Sequence, residues 1–221
     1  MKKKIIIATV VLILLIIVAI PLVMKGPDTS QYEFLRVPRM TSMPAQKMIV
    51  VEAKGDPNEV AGKAFGLLFE TFYKVKGDVE GMSMAAPRGR WAIPVEAPKS
   101  QWIGQYGLPV PQQLNRLPDI EADPGYSVSL EIWDYGDVAE ILHIGAYDKE
   151  EPTIARLAQF IEDSGYVIIG EHEEEYVKGP GMFFKGNPEK YYTIIRNRVK
   201  KADMGPEMQP PTAQSEMPTD R

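Results

Sequence analysis

Cysteine is absent from this 221-residue chain, so neither disulfides nor thiolate metal sites can hold its fold. Haem or lipid attachment through cysteine is excluded for the same reason. Histidine is nearly absent, with two in the whole chain. A metal centre would have to draw on His143, His172 and carboxylates such as Glu174, which follow no recognised ligand spacing, so neither metal nor cofactor is expected. No Ser-His-Asp order or nucleophile elbow is present, which argues against acyl-transfer chemistry. A basic stripe is missing too. Beyond residue 25 the chain carries 21 basic and 30 acidic residues, a formal charge of −9, because Lys2, Lys3, Lys4 and Lys25 are the only charges before that point. No nucleic-acid partner is expected of such a surface.

What the chain does have begins with MKKK and then IIIATVVLILLIIVAIPLVM, residues 5–24, without a charge. As a helix this run is about 30 Å long, the thickness of a bilayer core. It exceeds the usual signal-peptide core, and Ala19, Ile20, Pro21 and Leu22 offer no small-x-small cleavage site. The expectation is an uncleaved single-pass anchor, with residues 1–4 cytoplasmic and everything after residue 24 outside the cell membrane. Residues 25–45 read as a stalk leading into a first strand. Residues 200–221 are polar and proline-rich and read as a disordered tail.

Residues 46–199 form the expected domain, in which one pattern occurs twice. QKMIVVEA (46–53) is a β-branched strand, Asp56 and Pro57 make a helix start, and Val60, Ala64, Leu67, Leu68 and Phe72 share one helical face. A strand or hairpin segment over 82–94 follows. DVAEILHIG (137–145) is a second such strand, Ile154, Leu157, Ala158 and Ile161 a second helical face, and YVIIGEHEEEYV and 191–199 are two more strands. Between the repeats, residues 94–126 read as a long irregular stretch containing Trp102 and Tyr106, closed by a strand over 126–134. The fold class is α+β: two tandem strand-helix-strand-strand repeats in an antiparallel sheet, two helices on one side and the other side free.

In GEHEEEYV (170–177) the strand period puts Glu171, Glu173 and Glu175 on one face and His172, Glu174 and Tyr176 on the other. Three stacked carboxylates are expected to be solvated. Glu174 shares its face with an imidazole and a phenol, the face expected to look into a cleft. A bulge at Gly170 would swap the two faces.

ILHIGAYDKEEPTIARLAQFIEDSGYVIIGEHEEEYV with YYTIIRNRV resembles the GyrI-like small-molecule-binding domain, the effector-binding module of multidrug-sensing regulators and of stand-alone gyrase-inhibitor-like proteins. EAKGDPN, AFGLLFETFYKVKG and RGRWAIP resemble the stand-alone branch. The resemblance implies a groove between the repeats, lined with aromatics, with Glu174 at its base, Tyr176 after it and Tyr147 facing it. Some stand-alone members are similar to hydrolases of electrophilic cyclopropane-bearing compounds, and for them the resemblance implies Glu174 as base and Tyr147 as proton donor. This chain departs from that branch in having Glu173 where a second histidine is often found, and in flanking its single tryptophan there, Trp91, with Arg88 and Arg90. The SOUL haem-binding family has a similar repeat fold, which MSMAAP (82–87) resembles, but the Glu-x-Tyr strand favours the GyrI-like side.

The expected function is therefore to bind, by sequestering or sensing, a small amphipathic, aromatic or cationic molecule. Its ligand-binding residues would be Glu174, Tyr147, Tyr176, Trp91, His172, Trp102 and Tyr106, while Trp133 and Phe65 read as core. The alternatives are the hydrolase and a non-catalytic scaffold for a protein partner. An open cleft over Glu174 is expected of the first two, a filled one of the scaffold.

Overall fold

The β-branched run 46–53 extends from Gln46 to Lys54 as a strand because alternate side chains are buried on both faces of a sheet. The computed structural model describes residues 28–91, 98–180 and 186–202. In chain order the strands are β1 (Arg39–Met43), β2 (Gln46–Lys54), β3 (Arg88–Trp91), β4 (Ile103–Pro109), β5 (Tyr126–Trp133), β6 (Gly136–Ile144), β7 (Tyr166–Lys178) and β8 (Tyr192–Lys201). Helix α1 (Pro57–Val75) follows β2, and α2 (Glu151–Asp163) follows β6. Asp56 caps α1 by accepting a hydrogen bond from the Asn58 amide at 2.9 Å, with Pro57 in the first turn where its missing N–H costs nothing.

All eight strands lie in one antiparallel sheet, in the order β1-β6-β8-β7-β3-β4-β2-β5. Adding four to each strand of the first half gives its counterpart in the second, so the sheet has a pseudo-two-fold between β3 and β7. The lead strand of each repeat pairs with the other repeat: β1 with β6, and β5 with β2. Met43 faces Gly136 and Gln46 faces Trp133, so the register runs unbroken across the short links between β1 and β2 and between β5 and β6.

Two strands depart from the sequence reading. β1 begins within the segment read as a stalk, and ahead of it a 3-10 turn (Ser30–Arg36) buries Leu35 against Leu142 and Ile194. β4 lies inside the stretch read as irregular. Its glycines hid it, and both sit under rings: a Cβ on Gly104 would meet Tyr106 at 3.1 Å, and one on Gly107 would meet Trp133 at 2.6 Å.

The helices cover one face of the sheet and form two cores. α1 packs Ala64, Leu68 and Phe72 on Ile49, Val51 and Leu108, while α2 packs Leu157 and Ile161 on Ala139, Ile141 and Ile195. Each helix sits over its own repeat. The central pair β3·β7 is left between them.

The second face was expected to be free and is not, and Glu173 and Glu175 are paired there with arginines and not solvated. Arg90 lies over the Trp133 ring at 3.9 Å although β4 and β2 separate their strands, a span of about 14 Å in a flat sheet, so the sheet coils inward there. Glu173 is 3% exposed and accepts from Arg90 Nε and Arg196 Nη1, both at 2.6 Å, and from the Tyr135 hydroxyl at 2.9 Å. Glu175 pairs with Arg88 and Arg196, and Glu140 with Arg196 and Arg39. Burial pushes the Glu173 pKa up, but the three guanidiniums outweigh it and hold the carboxyl below its usual range. The arginines flanking Trp91 supply the charge that the stacked glutamates need to leave water. Glu171 is half-buried.

No helix among the described residues is long and apolar enough to cross a membrane. The expected cytoplasmic segment (1–4), the anchor (5–24) and nearly all of the tail (203–221) lie outside the described residues.

Candidate functional site

β7 carries the site because of where its period starts. Gly170, with φ +85°, holds a bulge that shifts the register between Ile168 and His172. The bulge falls before the run, so the faces stay as the strand period sets them: His172, Glu174 and Tyr176 point to the helix side. Opposite them on β3, Trp91 faces His172 and Gly89 faces Glu174. A Cβ on Gly89 would meet the Trp91 ring at 2.6 Å and the Tyr176 hydroxyl at 3.0 Å. The missing side chain lets both groups lie over the central strand pair.

Above this floor is an open cavity of about 880 Å³. One wall is α1, with Ala61, Gly62, Phe65 and Phe69. The other is the turn into α2, with Tyr147, Glu150 and Ile154. Trp102, Pro87, Gly179 and Pro180 complete the lining. Of the residues expected to bind, Glu174, Tyr147, Tyr176, Trp91, His172 and Trp102 all line the cavity. Tyr106 does not. It is 1% exposed and lies beneath the floor, edge-on to Trp91 and Phe65 at 6.3 and 5.0 Å between centroids. Burial pushes its pKa up to about 12, and Trp91 lies near enough to lower it slightly, although neither polar atom has a well-aligned partner among the described residues. Phe65, read as core, is a wall residue instead, edge-on to Tyr176 at 5.6 Å.

Glu174 accepts from the Tyr176 hydroxyl at 2.8 Å, and its other oxygen is 3.1 Å from His172 Nε2. Its side chain is 14% exposed. Burial raises the pKa of such a carboxyl, but the hydrogen bonds from His172, Tyr176 and Glu150 outweigh it, and Glu174 is held below the usual range. Tyr176 is pushed well above its ordinary value by burial and by the Glu174 charge, so it remains a phenol donor. Tyr147 is likewise raised by burial and packs edge-on to Tyr176 at 5.5 Å.

Glu150 is the residue that sequence reasoning missed. It stood in DKEEP as turn punctuation, and no spacing rule links it to Glu174, 24 positions on. It is 5% exposed, lines the cavity, and its pKa is raised to about 9 by burial and by the adjacent Glu174 charge. The cavity thus carries two carboxyls side by side, Glu174 held below the ordinary range and Glu150 pushed above it. Among the described residues, no lysine or arginine lines the cavity. His143 is elsewhere, its ring held by the Thr153 hydroxyl at 2.9 Å and the Ala146 carbonyl at 3.2 Å.

No family model matches this sequence, and no curated protein matches it. Solved structures do share its fold. An uncharacterized conserved protein from Listeria innocua superposes with a TM-score of 0.64 at 24% identity, covering 78% of this chain and 97% of its own. A hydrolase from the same bacterium gives 0.61 at 23%, covering 80% and 100%. The EcmrR C-terminal domain gives 0.56 at 15%, covering 75% and 98%. These likenesses support a GyrI-like fold for this chain and are likenesses of fold alone.

Proposed function

We propose that this domain binds a small amphipathic molecule with an aromatic, cationic part, using Glu174 as the charged floor of the cavity. One observation carries this reading: a hydrogen-bonded carboxylate lies at the base of an aromatic cavity whose lining, among the described residues, holds no lysine or arginine. A flat cation gains ring area and cation–π attraction of ~0.5–2 kcal/mol per ring, and it meets the Glu174 carboxylate. Anions meet no lysine or arginine there among the described residues. Titrating residues 26–221 with lipophilic aromatic cations, followed by tryptophan fluorescence, tests the reading, because Trp91 and Trp102 line the cavity. Saturable binding is expected, weakened about tenfold or more, ~1.4 kcal/mol, in Glu174→Gln. Equal binding by both proteins would remove Glu174 from the site.

A second reading has an observation of its own. Two carboxyls, Glu150 with its pKa raised and Glu174 with its pKa lowered, line the cavity beside the Tyr147 phenol, and a fold neighbour is named a hydrolase. Glu174 would activate water and Tyr147 would donate a proton to an electrophilic substrate. Catalysed turnover of such a substrate that survived in Glu174→Gln would sink this reading. Scaffolding is disfavoured because its filled cleft is not found. We also propose that residues 5–24 anchor the domain outside the membrane; release of the full chain by alkaline carbonate would count against that.

A further inference from the structure

We propose that Glu150 is a second carboxyl of the binding site, and that a cationic ligand enters by displacing the one proton that Glu150 and Glu174 share. The proposal rests on the binding reading above and adds to it the ion that leaves. Both carboxyls line one cavity and are in hydrogen-bonding contact. Among the described residues the donors gather on one carboxyl, and Glu150 has only the Thr193 hydroxyl near it. Glu174 takes the Tyr176 hydroxyl and His172 Nε2, while Glu150 Oε1 is buried with no partner among the described residues.

Among the described residues, the groups facing Glu150 are Glu174, His172 and Tyr176 from β7, Tyr147 from its own turn, and Thr193 from β8. None but His172 can carry positive charge. Two adjacent carboxyls in such surroundings retain one proton between them. With the Tyr176 hydroxyl and His172 both directed at Glu174, the proton falls to Glu150, the carboxyl with fewer partners, which can then donate to Glu174.

A cation entering the cavity supplies the missing positive charge and stabilises the doubly ionised pair. The balance is simple: the cation moves from water into the site, and one proton moves from Glu150 to water. No bond other than the O–H is broken. Affinity for a permanent cation then rises with pH until Glu150 ionises in the free protein, and an uncharged ring system of the same shape shows no such rise. Because the pair shares one charge, Glu150 recovers only part of the binding lost in Glu174→Gln, without the Tyr176 and His172 partners that hold the charge in place, so the deepest loss belongs to the double variant.

The test uses the full chain in detergent micelles and ethidium, whose charge is permanent. Calorimetric titration in two buffers of different ionisation enthalpy, repeated from pH 6 to 9, gives the protons released and the slope of affinity. Release approaching about one proton per ethidium is expected, with affinity rising by up to about tenfold per pH unit. Both effects should disappear in Glu150→Gln. Binding without proton release, or release that persists in Glu150→Gln, would overturn the exchange while leaving the binding reading in place. Absence of ethidium binding would count against the binding reading instead. Carboxyl carbon resonances in the ligand-free protein then decide the shared proton: a glutamate titrating far above the ordinary range and missing from Glu150→Gln upholds it, and no such signal refutes it.

Discussion

Glu173 and Glu174 are adjacent in sequence and end in opposite surroundings, one among arginines and one among rings. The separation follows from strand period alone, and it was legible in the sequence once GEHEEEYV was read as a strand. What each face meets was not legible, because it depends on partners far along the chain: Arg88 and Arg90 from β3 and Arg196 from β8 for Glu173, and Glu150 for Glu174. Glu150 makes a prediction at this scale. Its folded pKa, about 9, lies above its ordinary value of 4.5. A group raised in this way contributes stability fully present below about pH 4.5 and lost as pH rises through about 9. Glu150→Gln keeps an N–H donor toward Glu174 without the ionisable proton. Its melting temperature should therefore exceed wild type at pH 8 to 9, with the difference shrinking toward pH 4.5. A difference that does not change with pH would mean that Glu150 ionises normally.

At the scale of elements, the repeating strands and both helices were legible because their apolar positions keep a clean period of 2 or 3.6. β1 and β4 were not. RMTSM has no apolar alternation and IGQYGLP carries two glycines and a proline, since each strand owes its place to what packs over or beside it. β1 is held by pairing with β6 from Arg39 opposite Glu140 to Met43 opposite Gly136, by the Arg39–Glu140 ion pair at 2.6 Å and by Leu35 ahead of it. Residues 30–43 thus belong energetically to the sheet. Burying Leu35 alone is worth ~2–5 kcal/mol against truncation. A chain of residues 46–202 should then be less stable than 28–202 by about 3 kcal/mol or more, seen as a lower urea midpoint. Coincident midpoints would return this segment to the role of a linker.

At the scale of the molecule, the exchange of lead strands decides how the cavity is kept. Three pairings join the halves, β1·β6, β2·β5 and β3·β7, and the cavity floor is the last of them. Its walls come from both halves, α1 from one and the turn into α2 from the other. A duplication without exchange would join the halves only through the four-residue strand β3. The exchange clamps the sheet at both edges, so the uncovered pair at the centre can stay uncovered. The covalent link between the halves, by contrast, runs through an exposed stretch that includes Asp119, Glu121 and Asp123. Cleavage at a protease site introduced over residues 119–123 should leave the two fragments together on gel filtration, because every pairing that crosses the halves survives the cut. Such a nicked protein should still bind ethidium within about threefold of the intact chain, well under ~1 kcal/mol. If the fragments part under native conditions, the chain link and not the exchanged strands keeps the floor assembled. If they stay together but lose the ligand, the stretch between β4 and β5 shapes the cavity in a way that its distance along the sheet does not suggest.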